Sequence, residues 1–113
     1  MLRGKVVLVP FPFDDLASSK VRPAVCLTDR IGPHEHVIVA FITSRVPNPE
    51  LPSDILLPCS GDGRERMGLK VDSALRLHRV ITLSTALILR ELGTIPPVIQ
   101  ASIDAKLRDL FQL

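Results

Sequence analysis

Residues 20–28 read Lys-Val-Arg-Pro-Ala-Val-Cys-Leu-Thr, a pattern typical of a junction between a loop and a short apolar strand. Pro23 has a fixed φ and no backbone N–H, so it fits the first position of a strand and not its middle. The residue before a proline is held extended, which places Arg22 on stiff backbone where loop and strand meet. A guanidinium held in this way suits phosphate recognition, whereas the simpler interpretation is an exposed arginine at a strand end. The stretch therefore predicts a strand over residues 23–30 with a permanent positive charge at its lip.

Composition limits both the fold and the kind of ligand. The chain has 113 residues, and we expect one domain with a modest core over residues 1–113. Hydrophobic residues make up 46% of the chain, and four Phe with no Trp or Tyr predict an aliphatic core with little aromatic surface for base stacking. The formal net charge is only +2, so a basic patch for a polyanion would have to be local.

Cysteine and histidine usage argues against a disulfide framework and against a metal site. Cys26 and Cys59 are two isolated thiols, and the three His residues show no metal-ligand spacing. The apolar run over residues 6–9 is too short for a signal peptide, and no apolar span approaches the roughly 20 residues of a membrane helix. We therefore expect a soluble cytoplasmic protein with no cofactor, no metal and no membrane segment.

Apolar runs that alternate with proline- and glycine-rich segments predict a mainly β architecture. Two prolines after Val9 should end the first strand and open a long loop, and Gly32-Pro33 should form a turn. Residues 37–43 have no polar break and should be buried on both faces, whereas residues 59–68 should be a mobile, basic turn. The expected strands are residues 4–9, 23–30, 37–43, 54–57 and 68–77.

Alternation along residues 68–77 divides the most informative predicted strand into two faces. Arg76 and His78 fall on the outer face, about 6.5–7 Å apart along the strand, so both could reach one phosphodiester. A solvated strand face is the alternative interpretation. The predicted core face is Leu69, Val71, Ser73, Leu75 and Leu77, and the predicted outer face is Lys70, Asp72, Ala74, Arg76 and His78.

The C-terminal part of the chain predicts helices. Ser84 fits the N-cap of a short helix over residues 85–90, which Gly93 should break. Pro97 suits the start of an amphipathic helix, on which Asp104 and Arg108 should form an exposed pair. Together with the strands, this predicts a small barrel-like α+β domain. The apolar stripe of the second helix is Ile99, Ile103, Leu107 and Leu110.

Several segments, taken in their order and spacing, resemble the MazF/PemK toxin family. They are residues 4–13 (GKVVLVPFPF), 20–24 (KVRPA), 42–44 (ITS), 68–73 (GLKVDS) and 82–84 (TLS). The match covers nearly the whole chain, and the ordered set is more specific than any one piece. The resemblance implies a mainly β, SH3-like small barrel with a C-terminal helix, and a homodimer. It also implies a metal-independent endoribonuclease whose site is blocked by a cognate antitoxin.

The resemblance further implies roles for individual residues. Arg22 matches the family's arginine that binds the scissile phosphate. Thr43, with Ser44 beside it, matches the threonine whose hydroxyl contacts that phosphate. Arg76 matches an arginine that PemK-like members use to stabilise charge or to donate a proton.

Two positions depart from the family pattern. His78 stands where PemK-like members often carry an aspartate proposed as the base. Lys5 stands where an acidic residue commonly follows the glycine, which alters the charge expected at the mouth of the site.

Cleavage of RNA without a metal uses the 2′-hydroxyl as an internal nucleophile. The site then needs a base, a donor for the departing 5′-oxygen, and cations for the phosphorane. Arginine stays protonated, so we expect Arg22 and Arg76 to stabilise charge and Thr43 to donate a hydrogen bond to phosphate. A neutral imidazole suits the base, which makes His78 the first candidate and Asp72 the second. We expect further RNA contacts from Phe11, Phe13, Lys20, Ser44 and Lys70.

The expected partners are single-stranded RNA such as mRNA, a second copy of the chain, and the antitoxin. An acidic, initially disordered antitoxin tail should fold into a basic groove over the phosphate site. Operator DNA would be bound only through the antitoxin complex. Two other functions stay open, namely a binding-only module like the related gyrase poisons, and an inactive member of a DNA-binding repressor complex. The expected groove consists of Arg22, Arg76, Arg64 and Arg66, flanked by Phe11 and Phe13.

Overall fold

One six-stranded antiparallel sheet carries the fold. The structure is a computed structural model that describes residues 1–11, 20–61 and 63–113, so most of the long loop predicted after the first strand lies outside the described residues. The elements are β1 (Lys5–Phe11), β2 (Lys20–Cys26), β3 (His36–Thr43), β4 (Asp54–Leu57), β5 (Ser73–Ser84), β6 (Arg90–Thr94) and α1 (Pro97–Phe111). The strand order is β4-β5-β3-β2-β1-β6. The sheet curls into a half-barrel, which confirms the predicted mainly β fold with a C-terminal helix. None of the described helices is long and apolar enough to cross a membrane.

The sheet is apolar on both faces. Residues that stand opposite one another on neighbouring antiparallel strands share a face, and successive residues alternate between faces. Most of β3 is buried, close to the prediction for residues 37–43. We call the two apolar clusters the first core and the second core. The first core includes Val6, Val25, Ala40, Ile42, Leu57, Met67, Leu75 and Ile103, and the second includes Val7, Val9, Ala24, Cys26, Val39 and Phe41.

The second strand begins before Pro23 and not at it. Pro23 lies in the middle of Lys20–Cys26, where the prediction had excluded it. Its register explains the difference, because Pro23 stands opposite Leu8 of β1, whereas pairing with β3 starts only at Ala24. This part of β2 has a hydrogen-bonded neighbour on one side only, as an edge strand has, and proline is tolerated there.

The same pairing lengthens the first strand. β1 continues past its predicted end at Val9, because Pro10 stands opposite Val21 and Phe11 stands opposite Lys20. The ends of β1 and β2 are thereby tied together, which fixes the backbone at Phe11.

β5 starts later than predicted and runs further. It begins at Ser73, so Lys70, Val71 and Asp72 precede the strand, and the alternation predicted for them is wrong. The side chain of Val71, predicted to face the core, is 54% exposed.

A bulge interrupts β5. Phe41 of β3 stands opposite Arg76, but the neighbouring Ala40 stands opposite Val80. Residues 77–79 are therefore extra residues of β5 relative to β3. Bulges bend a strand and redirect its side chains, so the two-residue alternation behind the predicted outer face does not continue past Arg76.

Residues 59–68 contain a short 3-10 helix, Arg64–Met67, and are not simply a turn. Met67 is fully buried in the first core, which anchors this segment. A Cβ added at Gly93 would collide with the carbonyl oxygen of Arg66, so β6 needs a glycine at this close approach. Gly93 is therefore a strand residue, and its predicted role as a helix breaker is wrong.

The short helix predicted after Ser84 is a 3-10 turn, Thr85–Leu87, and β6 begins where its second half was expected. The hydroxyl oxygen of Ser84 accepts a hydrogen bond from the N–H of Ala86 at 3.2 Å. The predicted N-cap is thus confirmed, although the helix is shorter.

The helix α1 covers the first core. It begins at Pro97, as predicted, with Pro97 at the first helical turn. Ile99 and Ile103 are buried, and Leu107 and Leu110 pack partly buried against the same core. The predicted apolar stripe is confirmed.

The charged pair on this helix differs from the prediction. A carboxylate oxygen of Asp104 accepts a hydrogen bond from Nη2 of Arg3 at 2.8 Å and another from Nε2 of Gln100 at 3.0 Å. The carboxylate therefore ties the N-terminal segment to the helix, whereas Arg108 was its predicted partner.

Replacing Ile103 with alanine should lower the free energy of unfolding by about 2–5 kcal/mol, because its side chain is fully buried in the first core. Val98→Ala on the same helix is the matched control, since Val98 is 78% exposed and should change stability by less than about 0.5 kcal/mol. Urea unfolding followed by circular dichroism measures both. Equal stabilities of the two variants would show that α1 does not pack on the sheet.

Candidate active site

A cleft opens where the ends of β1, β2 and β3 meet β5. Its volume is ≈ 200 Å³, and it brings together side chains that are far apart in the sequence. Its described lining residues include four arginines and no Asp or Glu, so the local potential is positive. We call it the arginine cleft. Its described lining is Phe11, Arg22, Phe41, Ile42, Thr43, Ser44, Arg45, Arg76 and Arg79, which includes the predicted site residues Phe11, Arg22, Thr43, Ser44 and Arg76.

The ring of Phe11 gathers two of the arginines. It packs edge-on against Phe41, with ring centroids 4.2 Å apart and an interplanar angle of 89°. Cζ of Arg22 lies 5.9 Å from the centroid of the Phe11 ring, and Cζ of Arg79 lies 5.8 Å from it. Both distances are within the range of cation–π attraction. The Phe11 ring, whose backbone pairs with β2, thus brings the guanidinium groups of Arg22 and Arg79 from different strands into the arginine cleft.

Thr43 ends β3 at the cleft, and its hydroxyl oxygen already accepts one hydrogen bond. Its Oγ1 accepts a hydrogen bond from the backbone N–H of Arg45 at 3.1 Å, which shapes the turn that leaves the strand. A hydroxyl has one donor in addition to its acceptor lone pairs. The proton of the Thr43 hydroxyl can therefore be given to a ligand in the cleft.

Arg76 is oriented by a buried carboxylate. Nε of Arg76 donates to Oδ1 of Asp54 at 3.0 Å, and Nη2 donates to Oδ2 at 3.3 Å. The side chain of Asp54 is fully buried, whereas that of Arg76 is 24% exposed. Two parallel bonds fix the plane of the guanidinium of Arg76, which also lines the arginine cleft.

Asp54 is held as a carboxylate by its neighbours. Burial raises the pKa of this carboxyl, but the backbone N–H of Leu51 and the guanidinium of Arg76 outweigh burial and hold the pKa below its usual range. The N–H of Leu51 donates to Oδ2 of Asp54 at 2.8 Å. The helix reaches the same place, because Nζ of Lys106 donates to the carbonyl oxygens of Pro52 and Asp54 at 3.0 and 3.1 Å.

His78 lies in a different pocket. It lines a pocket of ≈ 370 Å³ between the loop before β4 and the helix α1, with Leu51, Lys106 and Asp109 among its neighbours. The β5 bulge separates it from the cleft that Arg76 lines. Arg76 lines the arginine cleft and His78 does not, and the expectation that both reach one phosphodiester stays a prediction.

The other predicted residues divide between the surface and a second cleft. Lys20 is exposed opposite Phe11 at the start of β2, and Lys70 lines a neighbouring cleft with Arg22. Phe13 lies outside the described residues. Lys5 is at the other end of β1 from Phe11, its Nζ lies 3.7 Å from Oε2 of Glu91, and it does not line the arginine cleft.

Asp72, the alternative base, is neither on β5 nor at the arginine cleft. Its carboxylate accepts a hydrogen bond from the backbone N–H of Cys59 at 3.0 Å, and this bond lowers the pKa of Asp72. A lowered pKa makes a carboxylate a weaker base. Arg64 and Arg66, which were also predicted to join the groove, line a pocket beside the start of α1 and not the arginine cleft.

Arg79, Arg45 and Asp54 belong to the site region but were not predicted from the sequence. Strict alternation places Arg79 on the core side of a strand, and only the bulge turns it to the cleft. Asp54 had a readable signal, since a carboxylate that opens an apolar strand needs a cationic partner if it is buried.

No metal site is apparent in the part of the chain that the structure describes. Among those residues, no three His, Cys, Asp or Glu side chains form a group that could hold a metal ion.

Comparison with known proteins identifies the family. The family described as the PemK-like, MazF-like toxins of type II toxin–antitoxin systems matches residues 2–111. The chain belongs to this toxin family. No curated protein matches it closely enough to count as a relative.

Several solved structures of toxins share its fold. The Mycobacterium tuberculosis toxin MazF-mt6 is 20% identical, with a TM-score of 0.74 over 96% of this chain and 97% of that one. A MazE–MazF structure from Deinococcus radiodurans is 21% identical, with a TM-score of 0.75 over 98% and 95%. A mycobacterial endoribonuclease in complex with its cognate antitoxin is 17% identical, with a TM-score of 0.74 over 100% and 96%. At these identities the likeness establishes the fold.

The buried pair of Asp54 and Arg76 should make the free energy of unfolding of this toxin-family protein depend on pH in the acid range. Because the pKa of Asp54 is lower in the folded than in the unfolded chain, the carboxylate stabilises the fold fully above about pH 4. That contribution is lost as the pH falls through the folded-state pKa. Asp54→Asn should lower the free energy of unfolding at pH 7 by about 3 kcal/mol and flatten this acid dependence.

Urea unfolding at pH 7 and at pH 3 tests this expectation. Asp109→Asn, an exposed carboxylate on α1, is the control and should keep the wild-type acid dependence. An Asp54→Asn variant that loses as much stability in acid as the wild type would contradict the assignment.

Proposed function

We propose that this protein is the toxin of a type II toxin–antitoxin system and acts as a metal-independent endoribonuclease on single-stranded RNA such as mRNA. The observation that carries the proposal is the arginine cleft, where Arg22, Arg76 and Arg79 converge beside the hydroxyl of Thr43. A positive cleft of this size suits one phosphodiester. Family membership and the endoribonuclease name of two structural neighbours support the same proposal.

The proposed reaction uses the 2′-hydroxyl of the RNA. The 2′-hydroxyl gives its proton to water as its oxygen attacks the adjacent phosphorus. The bond from phosphorus to the 5′-oxygen breaks, and the departing 5′-oxygen takes up a proton from water, so protons balance. The products are a 2′,3′-cyclic phosphate and a 5′-hydroxyl. Negative charge accumulates on the phosphorane oxygens, and cations fixed in advance stabilise that charge in the transition state more than in the ground state.

Each described group then has a role. Arg22 binds the phosphorane oxygens through its planar fork of N–H donors. Arg76 adds charge in an orientation that the Asp54 carboxylate has already fixed, so less ordering is needed when RNA binds. Thr43 donates its hydroxyl proton to a phosphate oxygen. Because His78 lines another pocket, we assign it no role in this proposed chemistry.

The proposed partners follow from the same surface. An antitoxin with an acidic, initially disordered segment would neutralise the arginine cleft and block RNA binding. The structural similarity to the MazF of a MazE–MazF structure supports an antitoxin partner. The homodimer, operator binding through the antitoxin complex and the cytoplasmic location remain proposals of the same kind. The binding-only and inactive interpretations gain no specific support from the described residues.

Arg22→Ala should lower the cleavage rate by about two to three orders of magnitude, the scale seen when a charge-stabilising donor is removed. Arg22→Lys should restore little, because a point charge does not reproduce the planar fork. Thr43→Ala should lose less, because a neutral hydroxyl bond is weaker than a charge-assisted one. A long single-stranded RNA incubated in EDTA, with mapping of the new ends, measures all three.

The control for this series is Arg108→Ala, an exposed arginine on α1 that should cleave like the wild type. Absence of any cleavage by the wild type in EDTA would refute the proposed function. Equal rates for the Arg22 and Arg108 variants would refute the role of Arg22 alone.

His78→Gln should keep the wild-type rate and the wild-type pH profile, because the imidazole lines a pocket other than the arginine cleft. Single-turnover cleavage measured from pH 5 to pH 9 provides the profile. A wild-type rate that falls in acid, together with a His78→Gln rate that does not, would instead make His78 the base.

A further inference from the structure

A second cleft lies beside the arginine cleft. Its volume is ≈ 410 Å³, about twice that of its neighbour, and the two share Arg22, Ile42 and Ser44. These shared residues form a rim between the clefts. We call it the rim cleft, and its described lining is Leu8, Val21, Arg22, Pro23, Ile42, Ser44, Gly68, Leu69, Lys70, Val71, Ser73, Arg90 and Leu92.

Strand register builds the floor of the rim cleft. Leu8 stands opposite Pro23 on one neighbouring strand and opposite Arg90 on the other, so the three form one row across β2, β1 and β6. By alternation, Leu8 and Pro23 share their face with Val6 and Val25 of the first core. Leu8 and Pro23 are only half-buried, whereas Val6 and Val25 are fully buried. The rim cleft is therefore the open end of the first core.

The segment before β5 forms the wall and is fixed in place. Gly68 has a φ of +74°, and an added Cβ there would collide with the backbone of Leu92, so this segment lies directly against β6. The hydroxyl of Ser73 donates to the carbonyl oxygen of Val71 at 3.0 Å, which holds the end of the segment. One side of the rim cleft is therefore formed by a segment with a fixed backbone.

The charges at the rim cleft have one sign. Lys70 and Arg90 are exposed at its edge, with Arg22 at the rim. Its described lining contains no Asp or Glu, and none of these three cations belongs to a salt bridge between described residues. An apolar floor with cations above it matches the chemistry of a nucleotide, which has an apolar ring face, a ribose and a phosphate.

We propose that the rim cleft binds the nucleotide next to the scissile one, with its base or ribose on Leu8, Pro23 and Leu69 and its phosphate at Lys70 and Arg90. The inference rests on the proposed function, since it takes the scissile phosphate to lie at Arg22. Continuity favours an RNA strand over an acidic peptide, because a chain with one phosphate at Arg22 meets the rim cleft directly across Ser44. Lys70 was expected to contact RNA, and this is the place where it would do so.

Binding of a non-cleavable RNA tests the inference independently of chemistry. The probe is a fluorescently labelled 2′-O-methyl RNA octamer of mixed sequence, titrated at several salt concentrations and followed by anisotropy. Arg90→Gln and Lys70→Gln should each weaken binding about three- to tenfold and reduce the slope of log K against log salt by about 0.7, the value for one lost phosphate contact on a single strand. Arg108→Gln removes the same charge at an exposed position that lines neither cleft, and it should change neither quantity. The same titrations with a labelled octaglutamate peptide test the other class of ligand.

The outcomes separate this inference from the proposed function. Wild-type cleavage of ordinary RNA together with Arg90→Gln and Lys70→Gln binding like Arg108→Gln would overturn the rim cleft and leave the endoribonuclease intact. If the wild type does not cleave RNA, but both variants bind the RNA more weakly than the wild type does, the rim cleft is supported as an RNA site and the endoribonuclease is refuted. If the two variants weaken the glutamate peptide but not the RNA, the cleft is a peptide site and the inference is wrong.

Discussion

Burial of both faces of the sheet across β1, β2 and β3 decides where polar chemistry can lie. Alternate side chains of these strands enter the first core or the second core, and most of them are fully buried. An unpaired polar group in either core would cost free energy, so the charged groups of these strands lie at strand ends or where a strand has a neighbour on one side only. Thr43 ends β3, and Arg22 lies on the part of β2 that pairs with β1 alone. Both residues line the arginine cleft, where the apolar cores end.

The pair of Asp54 and Arg76 is an exception, because it places a charged group in a fully buried position and joins it to a residue that lines the arginine cleft. A fully buried carboxylate is tolerable because it accepts two bonds from the guanidinium and one from the N–H of Leu51. Such a pair contributes less net stability than its short distances suggest, since both charges lose hydration. Its value here is geometric, because it fixes a cation at the cleft before any ligand arrives.

The sequence predicted those features that depend on local patterns. The C-terminal helix, its apolar stripe, the Ser84 cap and the strand at residues 54–57 follow from spacing and residue type, and the structure confirms them. Family resemblance added the association of Arg22, Thr43 and Arg76, which line one cleft.

The features that escaped prediction depend on pairing between distant strands. Pro23 is tolerated only because β3 begins to pair one residue later, and no local pattern shows this. The bulge at residues 77–79 depends on the register between β3 and β5, and it separates His78 from Arg76 while bringing in Arg79. Strand alternation is reliable only while the ladder is regular, so side chains near an irregularity are the least predictable ones.

The close approach at Gly93 has a consequence for how this sequence can change over generations. Every other amino acid would place a Cβ against the carbonyl of Arg66, on a segment that Met67 anchors in the first core. Neither backbone can retreat without opening the core, so the position offers no gradual route to substitution. Exposed positions such as Val98 carry no such restriction. A fold can therefore persist through extensive sequence divergence while a few close contacts between backbones allow no substitution. Here the absence of a side chain at Gly93 restricts the sequence more than most of the side chains do.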